Sequence, residues 1–189
     1  MIARKKTERR FTPIESISQF ADKLGGFGDA TAYRYFDRDR NLCSLSYAEL
    51  SARIRRQAAG LASAGLAGKR IAVIGETSVE WVTSYTAIIA SGGVAIPMDK
   101  ELDVEEIKGF FAFAEADAVI YSRSFNEKFA DLSKSHPTVK VQIPMDPDAE
   151  WDPVDPSFLP YSHLLDMGEA GVREGYAYPA VTDLNRMVE

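Results

Sequence analysis

The sequence predicts an α/β fold: a mainly parallel sheet with helices on both faces, preceded by a small β-hairpin. Three observations predict it. Over residues 70–143, short β-branched runs alternate with amphipathic helical stripes across short connections. Ser, Thr or Asp followed three residues later by Glu stands ahead of the stripes, which is capping-box spacing. Strands joined through helices pair in parallel by right-handed crossovers, and this places helices on the faces of the sheet.

The elements follow in order. Ile14, Ile17, Phe20, Ala21 and Leu24 recur at helical spacing until Gly25-Gly26. Thr31–Phe36 and Leu42–Leu45 flank the turn residues Asp37–Asn41, a hairpin pattern. Ser46 with Glu49 opens a helix whose stripe is Tyr47, Leu50, Ile54, Ala58 and Leu61, ending near Gly65. Arg70–Gly75 reads as a buried strand. Thr77 with Glu80 opens a helix bearing Trp81, Tyr85, Ile88 and Ile89, and Gly93–Pro97 gives a second strand. Asp103 with Glu106 opens the next helix, which carries Ile107, Phe110 and Phe111, and Ala118–Tyr121 is a third strand. Ser124 with Glu127 opens a helix with Phe125, Phe129 and Leu132, and Val139–Ile143 is a fourth strand. A short helix around Ser162, Leu164, Leu165 and Met167 is expected to stop at Gly168–Gly171. The organisation is then a basic arm (1–14), an α/β unit (15–143), an acidic Pro-rich connector (144–160), and a short helix with a mixed coil (161–189).

Composition narrows the function. With 189 residues, 46 % hydrophobic and 26 % charged, the chain has ordinary globular proportions. No run approaches the roughly 18–20 apolar residues of a membrane span. The basic N-terminus has no apolar segment behind it, so it is not read as a secretory signal, and a cytoplasmic protein is expected. One cysteine, Cys43, and two histidines, His136 and His163, argue against disulfides and a zinc site. Net charge is −6, unevenly spread. Residues 1–10 hold five Lys/Arg and one Glu, or +4, and residues 144–189 hold ten Asp/Glu and two Arg, or −8. Nucleic acid is therefore a poor partner, because phosphate neutralisation needs clustered cations. Arg53, Arg55 and Arg56 read as a solvated face.

The chemistry-bearing residues reach no complete set. Gly75-Glu76-Thr77 follows a strand, but neither a dinucleotide fingerprint nor a Walker loop is present. Glu76 and Glu80 would compete with a phosphate at that helix start, and capping is the favoured reading. Asp146, Asp148, Glu150 and Asp152 alternate as in a calcium loop, but Trp151 stands where the sharp turn needs Gly. His163 has no nucleophile tied to it by spacing. Cys43 reads as a buried structural thiol. Asp99-Lys100-Glu101 follows the second strand, where α/β sheets bind ligands, and Asp99 is read as a strand terminator. No catalytic, cofactor-binding or metal-binding residue is assigned.

Three stretches carry a family resemblance. Leu45–Leu50 (LSYAEL), Arg70–Trp81 (RIAVIGETSVEW) and Ala87–Asp99 (AIIASGGVAIPMD) resemble, in that order, core segments of AMP-forming acyl-CoA synthetases of the long-chain fatty-acid type. These belong to the adenylate-forming superfamily, and Thr77 stands here where that family usually has Asn. The resemblance implies the N-terminal subdomain of the adenylate-forming fold, with structural roles for Tyr47, Leu50, Gly92 and Pro97. It implies ATP, magnesium and coenzyme A for a parent ligase. The phosphate loop, acidic ribose ligand and lid lysine of such enzymes are absent, and the loop is expected just after a stretch like Asp183–Glu189. The expectation is an N-terminal fragment, inactive alone and binding no cofactor itself. Its partner is the rest of the ligase, and homo-oligomers remain open. The alternative is a stand-alone α/β binding, interaction or assembly module descended from a synthetase.

Overall fold

Alternating side-chain direction along the strands sets the architecture. The computed structural model describes residues 14, 16–37, 39–130, 132, 136, 138–146, 149–150 and 157–180. The basic arm apart from Ile14, the acidic positions Asp148 and Asp152 with Trp151, and the stretch 181–189 lie outside the described residues.

Helix α1 (Ile17–Gly25) leads to the antiparallel hairpin β1 (Thr31–Phe36) and β2 (Leu42–Ser46). Helix α2 (Tyr47–Ser63) follows directly. Ser46 accepts from the Glu49 amide, and Glu49 accepts from the Ser46 amide at 2.8 Å, so both halves of the capping box form. Strands β3 (Arg70–Ile74), β4 (Val94–Met98), β5 (Ala118–Ser122) and β6 (Val141–Met145) build one parallel sheet in the order β4-β3-β5-β6. Helix α3 (Val79–Ala90) joins β3 to β4, and α4 (Val104–Phe113) joins β4 to β5. A 3-10 turn (Arg123–Phe125) and α5 (Asn126–Phe129) lie between β5 and β6, and α6 (Tyr161–Arg173) follows.

The strands divide two cores. Ile71, Val73, Ala118, Ile120 and Ile143 face α1, α2, α3 and Leu164 of α6. Ala72, Ile74, Val119 and Tyr121 face Ile107 and Phe111 of α4 and the aromatic pair Phe125–Phe129. Both faces are thus covered, as near-continuous apolar strands require. Pro97 and Pro144 sit on the outer strands, where a missing N–H costs least. Beyond β6, Gln142 donates to Ser157 O and accepts from the Leu159 amide, which extends the sheet by one parallel bridge.

Several expectations need correction. Strand β6 lies two residues further on than the Val139–Ile143 run predicts, because Val139 packs into the α4 core ahead of the strand. Helix α3 is capped by Ser78, whose hydroxyl accepts from the Trp81 amide, not by Thr77. Ser124 caps nothing, since its hydroxyl is engaged elsewhere and a 3-10 turn takes the place of a capped helix start. Helix α6 does not stop at its glycines but runs through both to Arg173. A Cβ on Gly168 would lie 1.9 Å from Arg56 O, and one on Gly60 would lie 2.2 Å from Leu164 O, so α2 and α6 meet backbone to backbone.

The arginines are not simply solvated either. Arg55 pairs with Asp22 and lies 4.9 Å above the Tyr178 ring, while Arg56 bridges to Asp166 and Glu169 and donates to Leu165 O. Only Arg53 of the three is exposed.

Candidate functional site

The sheet order fixes where a ligand would be sought. From β3 the chain crosses to β4 on one side, and from β5 it crosses to β6 on the other, so the topology switches between β3 and β5. Open α/β sheets bind ligands in the crevice outside the carboxyl ends at such a point. Here the crevice is occupied by the protein itself. Gly75 leaves β3 with φ of +139°, a conformation that disfavours any side chain, and a Cβ there would lie 2.4 Å from Ser122 Oγ. That close approach brings Glu76 onto the end of β5. Ser122 Oγ donates to Glu76 Oε2 at 2.6 Å, and Ser124 Oγ donates to Oε1 at 3.0 Å. The Ser122 hydroxyl holds the Glu76 carboxyl below the usual glutamate range, with Ser124 and Lys100 adding to it against the cost of desolvation. Glu76 therefore ties two strand ends together and does not cap α3.

Two recesses share Thr77, the residue that follows this tie. The smaller, about 380 Å³, is lined by Gly75, Glu76, Trp81, Met98, Asp99 and Lys100. Asp99 accepts from the Glu101 amide at 2.9 Å, a turn that ends β4 as expected, and Lys100 lies 3.5 Å from Glu101. The larger, about 600 Å³, lies between the hairpin and the starts of α3 and α6, with Tyr35, Phe36, Ser78, Met145 and Tyr161 on its walls. Behind it runs a polar relay. Tyr161 Oη donates to Gln57 Oε1 at 2.9 Å, Gln57 Nε2 donates to Ser84 Oγ at 2.8 Å, and Ser84 Oγ reaches Met145 Sδ at 3.9 Å. Burial pushes the Tyr161 phenol far up, so it remains a neutral donor and not a base.

The other singled-out residues do not join the rim site. Asp146 is 5 % exposed and accepts from Asn126 Nδ2 at 3.0 Å, with Arg123 Nε at 3.6 Å, so it belongs to a buried tie at the end of β6 and not to a solvated connector. His136 is buried, with Nε2 2.9 Å from Lys108 O and Nδ1 2.9 Å from Thr138 Oγ1, and pins the α4 side of the core. His163 lies half-exposed on α6. Cys43 is half-buried, not buried, with its thiol 3.8 Å from Asp37 Oδ2. Among the described residues no group of three or more His, Cys, Asp or Glu is arranged to hold a metal ion. Sequence reasoning missed Ser122 and the Gln57–Tyr161 pair, and read Ser124 only as a helix cap. A signal existed only for Gln57, a polar residue inside an apolar helical stripe.

A doubly wound sheet whose switch point is filled by its own carboxylate defines the class of the fold. The chain belongs to the AMP-binding enzyme family, whose model matches residues 20–172. It is 33 % identical over 91 residues to feruloyl-CoA synthase of Amycolatopsis sp, covering 48 % of this chain and 18 % of that protein. It is 30 % identical over 108 residues to surfactin synthase subunit 1 of Bacillus subtilis, covering 57 % of this chain and 3 % of that one. Coronafacic acid ligase of Pectobacterium brasiliense shares the fold at a TM-score of 0.69 and 18 % identity, over 89 % of this chain and 31 % of that structure. The chain thus spans less than a third of each. The fold is that of the N-terminal part of an adenylate-forming enzyme.

The polyphosphate of ATP, which the family implies together with magnesium, does not fit the bare rim described here. A polyphosphate there would meet the carboxylates of Glu76 and Asp99, and the nearby cation Lys100 is paired with Glu101.

Proposed function

We propose that this chain is the N-terminal part of an ATP-dependent acyl-CoA synthetase acting on fatty acids. In the parent reaction a carboxylate attacks the α-phosphate of ATP, forming an acyl-adenylate and releasing pyrophosphate. The thiol of coenzyme A then attacks the acyl carbonyl, forming the thioester, and AMP leaves. ATP and magnesium supply the leaving group and the charge stabilisation for the first step. This chain's residues do not supply that stabilisation. They build a helix-covered sheet beside which the rest of the ligase is to pack, and the chain is inactive by itself.

The observation that carries this reading is the family match over residues 20–172, which includes all three stretches named above. Feruloyl-CoA synthase among the relatives supports a CoA-ligating synthetase, and surfactin synthase subunit 1 is a relative with a different product in its name. A cytoplasmic setting goes with a supply of ATP and coenzyme A.

The test is to express the source gene read past the codon for Glu189 and to supply the product with ATP, magnesium, coenzyme A and fatty acids of graded length. Equimolar AMP, pyrophosphate and fatty acyl-CoA are expected. Transfer of the adenylate to a carrier-protein thiol, with none to coenzyme A, would overturn the synthetase reading. A stop codon directly after Glu189 would overturn the fragment reading and favour a stand-alone binding module.

A further inference from the structure

The crevice between β3 and β5 holds a carboxylate where a doubly wound sheet would offer a ligand site. Three features make this a built arrangement. Gly75 adopts a glycine-favouring φ, which lets Ser122 approach to within what would be the radius of a side chain. Two hydroxyls from the far side of the crevice, Ser122 and Ser124, converge on both oxygens of one carboxylate. The turn so held, residues 75–78, ends at Ser78, the cap of α3, and that helix carries Trp81 into the adjoining recess.

We propose that Glu76 is a latch at the switch point. Its ionised carboxylate pulls the β3–α3 turn onto β5, and so it sets where α3 begins and how Trp81 lies over the recess. Glu76 is a positioning residue in this role, and the inference stands independently of the reaction proposed above. Lys100 and Asp99 of the β4–α4 connection share the recess of Glu76, while Arg123 of the 3-10 turn pairs with Asp146 and Glu80 of α3 lines the other recess. A neutral side chain at 76 cannot accept from both hydroxyls with equal strength, so the latch opens when the carboxyl is protonated.

Trp81 is the reporter. Its ring stacks on Tyr85 at 5.6 Å, and Trp151 is the second of the chain's two tryptophans. In the 189-residue chain carrying Trp151→Phe, tryptophan emission and far-ultraviolet circular dichroism are followed from pH 7 to pH 3. The expected result is an acid step in Trp81 emission, below the ordinary glutamate range, while the circular dichroism is still native. Ser122→Ala and Ser124→Ala each move that step upward. Glu76→Gln shows the shifted emission already at pH 7, has no acid step, and raises amide exchange over residues 75–78 about threefold. A Glu76→Gln variant that keeps the parent emission at pH 7, or keeps the acid step, overturns the latch. If Glu76→Gln fails to fold, Ser124→Ala decides: an unmoved step overturns the proposal and a raised step supports it.

Discussion

Two joints hold this molecule in register, and they work by opposite means. Where α6 crosses α2, the contact is dry and steric: Gly60 and Gly168 remove side chains so that each helix lies against the other's carbonyls. Where β3 meets β5 at the carboxyl rim, the contact is polar and open to solvent, made by one carboxylate and two hydroxyls around Gly75. Glycine enables both. In the helix joint it permits packing density, and in the rim joint it permits a hydrogen bond. The first should dominate stability, and the second should mainly set local geometry.

The largest effect that could break this comparison is at Gly168. Gly168→Ala places a methyl group 1.9 Å from Arg56 O, so α6 must shift, at a cost of about 3 kcal/mol in urea denaturation. Gly171→Ala is the control: its Cβ meets Ser63 Oγ at 3.3 Å and Ala59 Cβ at 3.4 Å, and less than about 1 kcal/mol is expected. Equal losses at the two positions would show that the joint is not steric.

Next is Gln57, fully buried between α2, α3 and α6. Gln57→Ala removes the acceptor of the Tyr161 hydroxyl and a donor to Ser84 Oγ and should cost about 2 kcal/mol. Ser46→Ala removes only a local cap, and about 1 kcal/mol is expected from the shift in denaturation midpoint.

The smallest effect belongs to the rim. The carboxyl of Glu76 has a lower pKa folded than unfolded, so its contribution is complete above the unfolded value and is lost as pH falls through the folded one. Because the group faces solvent, the difference between wild type and Glu76→Gln should stay below about 1 kcal/mol at pH 7 and vanish at acid pH. A gap that widens on acidification would contradict the sign.

The same contrast explains what was legible in the sequence. Local rules read well. The capping boxes at Ser46/Glu49 and Asp103/Glu106 form in full, and β3, β5 and the hairpin fall close to their predicted places. Rules that depend on a distant partner failed. Gly168 and Gly171 carry the local signature of a helix stop, and only α2, more than a hundred residues earlier, makes them packing residues, through Arg56 and Gly60 for the first and Ala59 and Ser63 for the second. Glu76 and Ser124 both stand at helix-start spacing, but each satisfies the other across two strands, so neither serves the helix that follows it. Arg55 and Arg56 read as a charged face until Asp22, Tyr178 and α6 cover them.

The site was the least legible part. Sequence reasoning assigned no catalytic residue. Asp99 and Lys100 stand together at the smaller recess, whereas His163 lies on α6 and Cys43 on the hairpin. The rim that the topology singles out is filled by a carboxylate, in keeping with the proposal that the chain is inactive alone.

The most direct test of that account is pyrophosphate exchange. The 189-residue chain is incubated with ATP, magnesium, radiolabelled pyrophosphate and a fatty acid, and label entering ATP is counted. The account predicts no exchange above a protein-free control. Label entering ATP in proportion to chain concentration, and only with the acid present, would place acyl-adenylate formation within these residues and contradict it.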